Sequence, residues 1–166
     1  FARVGQRLIG LNLSDNPELC GDLSLFECMV SLKSLSLRGC RSFSGDLGAL
    51  GQRNVGFAAN LEIIDISGCV YITGNIEDAF KSCRNLREVD LSESLVAGNI
   101  AVFSGPPAPQ TRDPVTRKVI LLPKPTPPLH SLILSGCRNL CGNMEDIKIC
   151  TNLIIADFNS CRHIEG

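Results

Sequence analysis

Apolar residues recur along this chain in one register, repeated six times. Leu8, Leu32, Leu61, Leu86, Leu129 and Leu153 head the units, and three residues on stand Leu11, Leu35, Ile64, Val89, Leu132 and Ala156. Two further on come Leu13, Leu37, Ile66, Leu91, Leu134 and Phe158. Small or polar residues separate them, so each segment alternates along the chain and predicts a short strand with one buried face. Just past each strand a small polar column recurs at Asn16, Cys40, Cys69, Ser94, Cys137 and Cys161. The second half of each unit repeats too. An apolar residue (Leu19, Phe43, Ile72, Val96, Leu140, Ile164) precedes a glycine at 21, 45, 74, 98, 142 and 166. Where the chain continues, that glycine is followed by Asp or Asn, which suits a tight turn. Apolar positions then close the unit at Leu23, Leu47, Ile76, Ile100 and Met144, and again at Phe26, Leu50, Phe80, Phe103 and Ile147.

The strand segment and its polar column resemble the leucine-rich-repeat pattern L-x-x-L-x-L-x-x-N/C, over nearly the whole chain. Cysteines in the column and before the next unit (Cys28, Cys83, Cys150) are similar to the cysteine-containing subclass. The L-x-G-x-I ending is similar to the plant-type one, a hybrid associated with algal and other protist proteins. The resemblance implies an α/β repeat solenoid, a right-handed superhelix with a parallel concave sheet and a convex side of short helix, 3₁₀ turn or loop. The expected organisation is a single array over 1–166, with units starting near 8, 32, 61, 86, 129 and 153. Side chains of the inward column are expected to form a ladder. Asn hydrogen-bonds the turn's backbone from within, and a Cys thiol is small enough to donate weakly there.

Unit starts are separated by 24, 29, 25, 43 and 24 residues, and the two long intervals mark departures. About five extra residues around Gly51–Asn60 in the second unit predict a longer convex loop. The fourth unit carries a larger insertion over 104–128, which holds eight of the nine prolines. Proline at that density opposes helix and interior strand, so an extended polyproline-like arm is expected, with Val115–Leu122 as an isolated extended segment. Arg112, Arg117, Lys118 and Lys124 make it basic against Asp113 alone. Val119, Ile120, Leu121 and Leu122 are too apolar to favour solvent. The arm either lies across a partner or folds back onto its own acidic strands; the plain alternative is a tolerated surface loop.

Composition narrows the function. With 166 residues, 44% of them hydrophobic, the chain can bury a sizeable core, but aromatics are 5% and Trp is absent. Leu, Ile and Val are therefore expected to build that core. A formal charge of -1 lacks the positive field that nucleic acid or an anionic membrane would select. No apolar run is long enough to span a bilayer, and Arg3 and Arg7 are followed by alternation rather than a signal-peptide core. The chain opens on Phe1, which points to a processed product or part of a longer chain, in the cytosol or an organelle. The terminal units carry no cap, so further chain or another subunit is expected over at least one end.

Nine cysteines would suggest disulfides in a secreted chain, but most fall in the buried columns, which favours reduced thiols and an intracellular compartment. Cys137, Cys141, Cys161 and His163 match no zinc spacing well, and no metal or cofactor is expected. On the concave face Asp65, Glu88 and Asp90 stack over adjacent strands, with Arg38 and Asp157 further along. These five and arm residues Arg117, Lys118, Val119, Ile120, Leu121 and Leu122 are the candidate partner-binding set. The face carries no nucleophile–base pair, His130 and His163 lie far apart in the array, and Gly105-Pro106-Pro107 is no phosphate loop, so an enzyme is not expected. The sequon Asn12-Leu13-Ser14 falls within a strand. Two functional readings follow. One is a protein-interaction scaffold, including a stable subunit of a larger assembly. The other is a receptor-like or substrate-adaptor module that binds a changing ligand on the concave face.

Overall fold

The computed structural model describes residues 6–166; residues 1–5, Arg3 among them, lie outside the described part. Its main feature is a six-stranded parallel sheet of β1 (Gly10–Asn12), β3 (Ser34–Ser36), β5 (Ile63–Asp65), β7 (Glu88–Asp90), β11 (Ser131–Ile133) and β13 (Ile155–Asp157). The register places Leu11, Leu35, Ile64, Val89, Leu132 and Ala156 side by side, the same residues that the sequence aligns. In each inner strand that central side chain is buried and its two neighbours face outward, as strand alternation requires. β1 and β13 form the two edges, so the sheet is no closed barrel.

A second parallel layer was expected to be tight turns. Its residues instead pair as β2 (Gly21–Asp22), β4 (Phe43–Asp46) and β6 (Tyr71–Thr73), and as β8 (Ala97–Asn99), β12 (Asn139–Asn143) and β14 (His163–Glu165). A bridge between Asn75 and Ala97 joins the two groups. Turn-forming residues pair here because successive units hold them at ladder distance. The Asp or Asn after each glycine then caps a short helix. Asp22 accepts from Ser24 N–H, Asp46 from Ala49, Asn75 from Glu77, Asn99 from Ala101 and Asn143 from Glu145. Three of the capped elements are 3₁₀ turns (Leu23–Phe26, Ile100–Ser104, Met144–Ile147), while α1 (Leu47–Arg53) and α3 (Ile76–Phe80) are α-helical. The molecule is thus mostly parallel strands in stacked sheets, with few helices.

Two further expectations are corrected. The extra residues after Gly51 are not a loop, because α1 runs to Arg53 and α2 (Val55–Asn60) follows at once. Asn54 makes this possible: it ends α1 through its N–H to Leu50 O and caps α2 by accepting from Phe57 N–H. The core also uses rings, with Phe26, Phe43, Phe57, Phe80 and Phe103 all buried beside the aliphatic residues. Phe26 stacks on Phe43 at 5.6 Å and Phe80 meets Phe103 at 5.7 Å, so single rings bridge successive units. Among the described residues no helix is long and apolar enough to cross a membrane. In the outer units Leu11, Leu13, Leu153 and Phe158 are only half-buried, and Ile154 is 80% exposed.

Candidate protein interface

The polar column at the strand ends forms a ladder of thiol hydrogen bonds. Cys40 Sγ donates to Leu13 O at 2.9 Å, Cys69 to Leu37 O at 3.0 Å, Cys137 to Leu91 O at 2.9 Å and Cys161 to Leu134 O at 3.0 Å. Each of these thiols reaches back to the preceding unit and adds a further donor to a carbonyl that already accepts within its own turn, as Leu37 O does from Cys40 N–H and Leu134 O from Cys137 N–H. Ser94 departs from the pattern. Its shorter side chain bonds Leu91 O of its own unit at 2.6 Å, and Ile66 O receives no side-chain donor. Asn16 is exposed rather than inward at the edge of the sheet, yet its amide still donates to Leu13 O and Ser14 O.

All nine thiols are free. Burial pushes Cys69 and Cys83 up to about 12 and Cys137 up to about 11, and raises Cys150 and Cys161 as well. A raised acid in the folded state favours folding only while the unfolded thiol is also protonated. This contribution is therefore complete below the ordinary value of 9.0 and is lost as pH rises from there through about 11 to 12. Urea midpoints should hold steady from neutral pH to 9.0 and fall above it. Native alkylation read by mass spectrometry should modify the exposed Cys20 and Cys141 first, while Cys40, Cys69, Cys83, Cys137 and Cys150 react only on unfolding. Rapid native labelling of Cys69 or Cys137 would contradict the ladder. Cys137, Cys141, Cys161 and His163 do not converge: among the described residues no three His, Cys, Asp or Glu side chains are grouped as a metal site requires.

Asp65 and Asp90 are register partners on adjacent strands, and Glu88 lies beside Ile63 on the same face. The two aspartates have a local duty that their spacing alone did not reveal. Asp65 Oδ1 accepts from Ser67 N–H and Oγ–H, and Asp90 Oδ1 accepts the same pair from Ser92. Asp157 holds Asn159 N–H and Asn12 holds Ser14 N–H in the same way. Each side chain fastens the turn after its own strand, the Asx arrangement that short polar residues favour. Arg38 is exposed, two residues past Ser36, the register partner of Asp65, and among the described residues it makes no ion pair with these carboxylates. Asp65, Glu88 and Asp90 line neither the cavity beside Phe80 and Pro127, nor that beside Ser94 and Asn139, nor that beside Gly51 and Lys81.

The insertion differs most from its expected form. In place of a single extended arm it folds into a hairpin, β9 (Gln110–Arg112) antiparallel to β10 (Val119–Leu121). Its turn is built by Asp113, whose Oδ1 accepts from Val115 and Thr116 N–H, and by Arg117 at φ 60. Prolines flank the two strands without entering β9 or β10; the ladder loses a donor only at its end, where Pro109 accepts from Leu122 N–H and has no N–H to return. The stalk is held down: Lys124 Nζ donates to Ser104 Oγ at 2.8 Å and Asn152 Nδ2 to Pro127 O at 3.1 Å. The tip is not. Val115 is 87% exposed, Val119 57% and Leu121 67%, with Ile120 and Leu122 also exposed. Among the described residues no carboxylate lies within ion-pair distance of Arg112, Arg117 or Lys118. The arm therefore does not fold back onto Asp65, Glu88 or Asp90. A mostly apolar cavity of about 220 Å³ opens at its base, between Phe80, Phe103, Pro106, Pro127 and Leu129, with Arg84 on its wall. Nothing in the periodicity pointed to it, because its walls come from separate units. No protein-family model matches the chain, and the search of curated proteins returned no match.

Proposed function

We propose that the chain is a leucine-rich-repeat solenoid, a single array serving as a non-catalytic protein-interaction scaffold within a larger assembly, and that its distinctive contact is the arm over 104–128. The observation that carries this reading is the hairpin, which is anchored at its stalk and presents Val115, Val119 and Leu121 to solvent beside three cations that have no acidic partner among the described residues. Apolar side chains held this far from the core contribute nothing to folding, whereas burying them against another protein is favourable at about 25 cal/mol per Å². The free, hydrogen-bonded thiols support a reducing compartment.

Crosslinking mass spectrometry on the native source tests the proposal, with Lys118 and Lys124 as the reactive amines. One recurrent protein is expected across the arm. A variant with residues 109–122 replaced by a short glycine linker should lose that protein while keeping the unfolding midpoint of the parent. Undiminished recovery by the armless variant would overturn the reading. A second reading, a recognition module on the main sheet face, is supported by Asp65 and Asp90, whose Oδ2 atoms have no hydrogen-bond partner among the described residues. Capture of a basic ligand by the armless variant, lost in Asp65→Asn with Asp90→Asn, would favour it.

A further inference from the structure

The arm's hairpin is one strand short of a stable sheet. Isolated two-stranded hairpins are marginal in water, and an open edge invites a third strand. Two hydrogen bonds fix which groups remain open. Asp113 N–H donates to Lys118 O at 2.9 Å, and Leu122 N–H donates to Pro109 O at 2.8 Å. Residues 118 and 122 therefore face β9, and antiparallel alternation turns 120 the same way, opposite Thr111. The N–H and C=O groups of Val119 and Leu121 point away from β9, along the free edge of β10. Within that edge Val119-Ile120-Leu121-Leu122 holds no charge, proline or bulge; the strand is short, and Lys118 and Pro123 bound the open stretch. Arg112, Arg117 and Lys118 crowd the turn end against one carboxylate there, Asp113, whose Oδ1 is engaged by two backbone N–H groups.

Resting on the reading of the arm as a contact, we infer that β10 is a docking edge that takes an extended segment of a partner protein as a third strand. Its main-chain groups pair with Val119 and Leu121, and its carboxylates lie beside Arg117 and Lys118. Charge selects this occupant over a second copy of the chain: three cations at the turn end have no acidic partner among the described residues, and a second arm, itself basic, would bring only its own Asp113 against as many cations of its own. Backbone pairing supplies the affinity and the flanking charges supply direction, the division of labour seen in β-strand addition generally.

The test uses the intact chain and three synthetic peptides: alternating valine and threonine flanked by glutamates, the same peptide flanked by lysines, and the glutamate peptide N-methylated at alternate amides. The readout is amide exchange at Val119 and Leu121 by NMR. The glutamate peptide should slow both amides roughly tenfold or more, with little change at Ile120, whose N–H is already paired. The other two peptides should leave them unchanged. Equal binding by the N-methylated peptide would overturn strand addition while leaving the arm as a side-chain contact. Equal protection by the lysine peptide would overturn the acidic partner. Protection without any peptide, rising with protein concentration and abolished by Val119→Lys, would make the occupant a second copy. No protection by the glutamate peptide up to its solubility overturns the inference. Failure of the arm itself is read separately, in the armless variant.

Discussion

Replacing Gly74 by alanine will cost about 3 to 5 kcal/mol of stability, among the largest effects of any single methyl group in this chain. Two independent penalties act there. Gly74 has φ 108, a conformation that residues with a Cβ rarely adopt. The added Cβ would also meet backbone, lying 2.8 Å from both Leu47 N and Gly48 N and running into Asp46 Oδ1. Those atoms form the capped N-terminus of α1, so the neighbour cannot yield without giving up its cap. Gly10 provides the control. It lies on the open sheet face, where a new Cβ would find only Ser34 Cβ at 4.0 Å. Gly10→Ala should stay within about 0.5 kcal/mol of the parent. Urea unfolding with unchanged slope measures both. A Gly74→Ala midpoint equal to that of Gly10→Ala would mean that the second layer is not packed as described.

Asn54→Ala should cost about 2 to 4 kcal/mol, because a buried backbone N–H loses its only partner while a buried carbonyl loses one of its two donors. Asn54 is 1% exposed, donating from Nδ2 to Phe26 O at 3.0 Å and accepting from Phe57 N–H at 2.8 Å. It thereby ties the first unit to the extra residues of the second and starts α2. Alanine leaves Phe57 N–H dry and unbonded, and Phe26 O keeps Met29 N–H at 3.0 Å as its one donor. The measurement is again the urea midpoint, joined by amide exchange at Phe57, which should accelerate more than exchange at Leu91 in a distant unit. A small loss with Phe57 still protected would show that α2 starts without this cap. Asn60→Ala, at an exposed site bonded to Val30 O, should cost far less.

Much of the main sheet was legible beforehand. Aligning Leu11 with Leu35, Ile64, Val89, Leu132 and Ala156 is the observed register, since a strand with one buried face cannot slip by a residue without exposing its core side chains. Cys40, Cys69 and Cys137 likewise recur at one place in the unit, but that each thiol donates to the preceding unit's carbonyl depends on how the units stack. The second strand layer was not legible. Gly-Asp and Gly-Asn read as turns in isolation, and they become strands and helix caps only because another unit lies beside them. Nor did the spacing of Asp65 and Asp90 separate a binding face from a turn lock, because the bond to the residue two positions on is local backbone geometry.

The arm draws the boundary most clearly. Its basic, apolar and proline-rich character is written in residues 104–128, but its hairpin depends on which residues come to lie opposite each other across the Asp113 turn. Periodicity informs wherever a side chain has one of two faces to choose. Pairing between residues far apart in the chain, such as Lys124 with Ser104 or the walls of the cavity at the arm's base, follows from packing in three dimensions. The repeat was therefore open to reading from the amino acids alone, and the one place where it is interrupted was not.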